Sequence, residues 1–135
     1  MTTRHLLWVA AATMSLTATQ ASSPTAAQEP ATRAVSDRVY SSEQADRGRT
    51  LFRDVCIICH PDPFWRSSWD GRSVGEVYTK ILKFMPDDAP GTLNAEEAAS
   101  AVAYILQSNG FPSGSVALPI DVTLLDRIRL EAPPN

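Results

Sequence analysis

Few residues in this sequence can do chemistry, and the shortages exclude a good deal. Two cysteines, two histidines and three methionines are spread over 135 residues. There is no Ser-His-Asp set, no pair of carboxylates in a defined cleft and no phosphate-binding glycine loop, so no independent catalytic constellation is readable. Basic runs and stripes are missing, and the formal charge is -3, which argues against a long polyanion as partner. No internal repeat is visible. Convincing strand-like alternation is also lacking, so the predicted fold class is all-α. With 44% hydrophobic residues the chain can build one globular core, and it is too short for two comfortable ones.

A long hydrophobic run is missing too. The apolar stretch "LLWVAAATMSL" follows Arg4 and His5, falls short of the about 20 residues of a membrane span, and gives way to small residues. Residues 1–27 are therefore read as a secretory signal peptide, with cleavage after Ala21 or Ala27, and the mature protein is placed in the periplasm. An uncleaved anchor is the alternative reading of the same run. No cysteine lies near the cleavage region, which excludes lipid attachment there. Cleavage removes one basic side chain, Arg4, and no acidic one, leaving a mildly acidic protein. Residues 28–40, "QEPATRAVSDRVY", lack a helical apolar stripe and are read as a flexible lead-in. The working domain is set at 41–129, with 130–135 as a C-terminal tail.

Three helix starts are marked by an N-cap residue with Glu or Gln three positions later: Ser41 with Gln44, Ser73 with Glu76, and Asn94 with Glu97. The first helix is predicted from Ser42 to Cys59, with Ala45, Gly48, Phe52, Val55 and Cys59 on one face. The second carries Val74, Val77, Tyr78, Ile81 and Leu82, and Pro86 stops it. The third presents Ala98, Val102, Ile105 and Leu106, with Tyr104 nearby, and ends at Gly110, which suits a left-handed terminus. The segment "VTLLDRIRL" is a candidate fourth helix.

The two cysteines stand together in "DVCIICHPDP", residues 54–63, as C-x-x-C-H. At i and i+3 on a helical turn, Cys56 and Cys59 can each add to one vinyl group of a single haem, while His60 turns under the ring to bind iron. Export favours this reading, because bacterial c-type haem attachment is completed outside the cytoplasm. A redox dithiol or a zinc site would draw on the same residues. The dithiol should follow a strand in a βαβ pattern, whereas these cysteines end a predicted helix. A closed zinc site needs four ligands; after leader removal only a carboxylate supplies the fourth, and adjacent Cys59 and His60 have difficulty facing one metal.

If His60 binds one face of the iron, the other face also needs a ligand. Met1 and Met14 belong to the leader, so Met85 is the sole mature thioether, at the end of the second helix and directly before Pro86. Its competing reading is as a core gap-filler.

From about Ser41 to Pro112 the chain resembles a class I c-type cytochrome. Gly48 and Phe52, eight and four residues before Cys56, stand where that family places a small and an aromatic residue. The resemblance implies a small cytochrome c fold with helices packed around one covalently attached haem c. It also implies that Gly48 and Phe52 pack against an aromatic on the C-terminal helix, Tyr104. Within the family, "MPDDAPGTLNAEEAASAVAYILQSNGFPSG" is most similar to small periplasmic cytochromes associated with quinoprotein and other dehydrogenases. Many relatives have a glycine after the haem histidine. Here Pro61 and Pro63 flank Asp62, which leaves open which carbonyl accepts the His60 Nδ1 proton.

Between the two ligand elements lies "FWRSSWDGRS". Trp65 and Trp69 are candidates to cover the haem edge, with Trp69 preferred as the indole donor to a propionate, and Arg66 or Arg72 to offset propionate charge. Core packing with solvated arginines is the alternative. Lys80 and Lys83, the only lysines, are candidate docking contacts for an acidic partner or simply a solvated helix face. The expected function is one-electron transfer through a single haem with His60 and Met85 as axial ligands, without catalysis of its own. Expected partners are redox proteins such as a periplasmic dehydrogenase and a terminal oxidase or other cytochrome. A cytochrome subunit of a dehydrogenase complex is one alternative. A gas-binding or peroxide-reacting haem protein is another, if Met85 is not a ligand.

Overall fold

The computed structural model describes residues 32–134; the leader and its two cleavage positions lie outside them. Helix α1 spans Ser42–Leu51, α2 Val74–Phe84, α3 Ala95–Ser108 and α4 Val122–Leu125. A two-residue parallel pair joins the ends: β1, Arg33–Ala34, lies beside β2, Ile128–Arg129. Short 3-10 turns occupy Val35–Asp37 and Ser67–Trp69. Among the described residues, no helix is long and apolar enough to cross a membrane.

Local chemistry accounts for α2 and α3. Ser73 Oγ accepts from the Glu76 amide at 3.1 Å while the Glu76 carboxylate accepts from the Ser73 amide, a reciprocal cap. Asn94 and Glu97 do the same for α3, at 2.9 and 2.8 Å. At the far end of α3, Gly110 has φ +83°, and the amides of Gly110 and Phe111 donate to Gln107 and Leu106, both at 3.1 Å, which is a Schellman closure.

The first cap is only half of the predicted box. Ser41 Oγ accepts from the Gln44 amide at 3.2 Å, but the Gln44 side chain turns into the core. There its Nε2 donates to the Leu118 carbonyl at 3.1 Å and its Oε1 accepts from the Leu118 amide at 2.8 Å. A buried amide that satisfies a distant backbone pair removes two groups from the unsatisfied ledger, which outweighs a second bond at the helix start.

The crossing of α1 and α3 is the tightest junction. A Cβ on Gly48 would lie 2.5 Å from the Ser100 carbonyl carbon, closer still to its oxygen, and 2.9 Å from Tyr104 Cβ. One turn on, Phe52 meets Tyr104 edge-to-face at 5.5 Å. The contact inferred from the family resemblance is therefore present.

Three expectations require correction. Over 33–40 the predicted lead-in belongs to the core: Val35, Val39 and Tyr40 are all buried, and the Tyr40 hydroxyl donates to the Phe111 carbonyl at 2.5 Å. Leu130, assigned to the tail, is also buried, and its amide donates to the Arg72 carbonyl at 2.8 Å. The fourth helix stops at Leu125, because the following residues extend to pair with β1; the Arg33 amide takes the Arg127 carbonyl at 3.0 Å.

Candidate haem site

Helix α1 does not continue to Cys59 as an α-helix. From Phe52 to Cys56 it widens into a π turn, in which the Ile57 amide reaches back five residues to the Phe52 carbonyl at 2.9 Å. The wider turn rotates the apolar face: Ala45, Gly48 and Phe52 are buried, Val55 is half-buried, and Cys59 emerges exposed. Cys56 is half-buried, and both cysteines are free thiols. The Cys56 carbonyl accepts from the Cys59 and His60 amides at 3.2 and 2.8 Å, so one turn holds all three residues.

Those three side chains do not converge on one point. Among the described residues, no group of three or more His, Cys, Asp or Glu side chains could hold a metal ion, which argues against the zinc arrangement. Burial pushes the Cys56 thiol above its ordinary pKa, opposite to the depressed values of reactive dithiols. Among the described residues, no βαβ unit precedes the motif.

Met85 caps the C-terminus of α2 in an extended conformation, and its amide donates to the Ile81 carbonyl at 3.1 Å. Its thioether is half-buried; among the described residues no hydrogen bond joins it to the cysteine turn. The candidate ligands thus sit at the ends of two separate elements. Large apolar side chains beside them are left in water: Ile57 is 46%, Phe64 36% and Phe84 58% exposed. Exposed apolar surface next to a donor set of two thiols, an imidazole and a thioether fits a large apolar iron macrocycle.

The loop joining the ligand elements is aromatic and tied to α3. His60 contacts Phe64 (ring centroids 5.4 Å), Phe64 contacts Trp69 (6.2 Å), Trp69 contacts Trp65 (5.5 Å) and Trp65 contacts Phe111 (5.2 Å). The Trp65 indole donates to Asp70 Oδ1 at 2.9 Å, whereas the half-buried Trp69 indole finds no protein acceptor among the described residues. Arg72 is committed to Glu76 and the Arg66 guanidinium lies over the Phe64 ring. Asn109, directly before the Gly110 helix end, is a residue that sequence reasoning missed: its Nδ2 donates to the Pro63 carbonyl at 2.9 Å and fastens the loop to α3. The signal was weak, since an asparagine before a glycine marks many helix ends.

A family model described as cytochrome C oxidase, cbb3-type, subunit III matches residues 43–105. This stretch is similar to a cytochrome c domain. The match takes in α1, the cysteine turn, α2 and most of α3, and with the helical architecture it identifies a small all-α cytochrome c fold. No curated protein and no solved structure matches the chain significantly. A cytochrome c domain is a haem-based electron carrier, and Cys56 and Cys59 are the only cysteines available for covalent haem c.

Proposed function

We propose that this protein is a periplasmic one-electron carrier of class I type, holding a single haem c through Cys56 and Cys59 with His60 and Met85 as axial ligands. The observation that carries the reading is the cysteine turn: two free thiols and the adjacent imidazole held by one backbone carbonyl, within a stretch similar to a cytochrome c domain. The haem would supply the ferric/ferrous couple, and a thioether ligand favours the ferrous state relative to harder ligands. The chain contributes placement. The π turn carries the attachment residues away from the core, and α2 delivers Met85 at its terminus before Pro86. Trp69, with an indole free of protein acceptors among the described residues, is proposed as the propionate donor.

The donor is proposed to be a periplasmic dehydrogenase, and the acceptor a terminal oxidase or another cytochrome. The oxidase subunit named in the matching family favours a second reading, in which the domain works as a fixed subunit of an oxidoreductase complex; co-purification separates the two. Exposed Lys80 and Lys83 would help an acidic partner dock, and a double alanine variant should slow bimolecular electron transfer at low salt but not at high salt.

Met85→Ala tests the ligand set. Attachment should survive, since Cys56, Cys59 and His60 are untouched. The thioether-to-ferric-iron band should vanish, the potential should fall by a sizeable part of the about 0.8 V range open to haem proteins, and the reduced variant should bind carbon monoxide. A wild type that already lacks the band and binds carbon monoxide equally well would replace the carrier with a gas-binding or peroxide-reacting haem protein.

A further inference from the structure

Phe64 and Arg66 form an arrangement that the ligand set does not use. Phe64 leans on the His60 imidazole at 5.4 Å between centroids, with 51° between planes. The guanidinium carbon of Arg66 lies 4.6 Å from the centroid of the same Phe64 ring. The two distances together keep that positive charge within about 10 Å of the His60 ring. The platform is itself anchored: Asn109 holds the Pro63 carbonyl, the Phe64 amide donates to the Asp62 carbonyl at 2.9 Å, and Trp69 supports the Phe64 ring.

Three arginines are neutralised locally by carboxylates, Arg49 by Asp46, Arg53 by Asp54 and Arg72 by Glu76. Among the described residues Arg66 forms no ion pair. Its recorded partner is an aromatic face, which attracts a cation without cancelling its charge.

We propose that Phe64 and Arg66 raise the haem potential: Phe64 holds the Arg66 guanidinium within about 10 Å of His60, where its fixed positive charge favours the ferrous over the ferric state. The inference rests on His60 as an axial ligand. A ferric site carries one more positive charge than a ferrous one, so a nearby cation disfavours it. Arg66 is exposed, which makes the effect modest and open to screening by salt. Arg66 is a positioning residue that transfers neither electron nor proton.

The test is a spectroelectrochemical titration of the holoprotein at about 0.01 M and about 1 M salt, where screening lengths are roughly 30 and 3 Å. In Arg66→Gln at low salt, the ferrous-to-ferric ratio at a fixed applied potential should fall about threefold, a shift of roughly 30 mV at about 59 mV per decade. Arg66→Lys should recover at least half of the shift, and high salt should close most of the gap. Phe64→Leu should move the potential the same way, and adding Arg66→Gln to it should then have less effect. A role in packing alone predicts equal shifts for Gln and Lys and no salt dependence. Equal low-salt potentials for wild type and Arg66→Gln, in protein with a normal one-electron couple, would overturn this inference alone. A wild type with no haem couple would overturn the carrier reading and the inference with it.

Discussion

Gly48→Ala separates two accounts of the first helix by sign. Helix propensity alone predicts that alanine stabilises an interior helical position by about 1 kcal/mol. The crossing with α3 predicts the reverse, since the new Cβ would stand 2.5 Å from the Ser100 carbonyl carbon and 2.9 Å from Tyr104 Cβ. The first obstacle is backbone, so no rotamer change relieves it, and α1 must move away from α3. Overpacking of this kind costs about 1–3 kcal/mol, and the backbone clash puts this case at the upper end. Separating Phe52 from Tyr104 forfeits part of an edge-to-face contact worth about 0.5–1.5 kcal/mol. Subtracting the propensity gain leaves a net loss of about 2–3 kcal/mol. Urea unfolding of the holoprotein, followed by helical circular dichroism, reads this as a lower midpoint with unchanged slope. Ser100→Gly should not rescue it, because the carbonyl remains. An alanine variant as stable as wild type, or more so, would refute the close crossing.

Two further outcomes follow from named bonds. Gln44→Leu leaves the buried Leu118 amide and carbonyl without their partner, so it should cost about 3 kcal/mol and speed hydrogen exchange at Leu118; an unchanged Leu118 amide would remove Gln44 from its role as a clamp. The Arg72 guanidinium and then the Ser73 amide hold the Glu76 carboxyl below its ordinary pKa. Its contribution is therefore complete above the unfolded value of about 4.3 and is lost as pH falls through the lower folded value. The stability gap between wild type and Glu76→Gln should shrink over that acidic window, and a gap that is constant with pH would refute the linkage.

The parts of the fold legible in the sequence are those encoded within a few residues. Ser73 with Glu76, Asn94 with Glu97, and Gly110 after α3 act over one helical turn, and each does locally what its spacing implied. The cysteine turn is similarly local. What stayed hidden depends on distant partners. Gln44 has the right spacing for a reciprocal cap, yet Leu118, 74 residues away, offers its side chain two bonds rather than one. Val35, Val39 and Tyr40 have no periodic pattern because Leu118, Leu125, Ile128 and Leu130 supply neighbours in the same core from the other end of the chain. A two-residue strand pair is too short to show alternation. The π turn uses the residue types of an ordinary helix, so neither the rotation of Cys59 nor the resting place of Phe64 on His60 could be read from spacing.

The pairing of β1 with β2 also fixes an order of events. Ser36 donates to Glu131 across 95 residues, beside strands that close over a similar span. Synthesis delivers the N-terminal end first, so Cys56–His60 exists roughly seventy residues before the segment that completes the cover of Val35, Val39 and Tyr40. Throughout that interval the attachment residues are present in a domain that has not sealed. The last residues of the described chain act as a latch on that core, and the cysteine turn stays outside it, with Cys59 exposed and Cys56 half-buried even after the latch has shut.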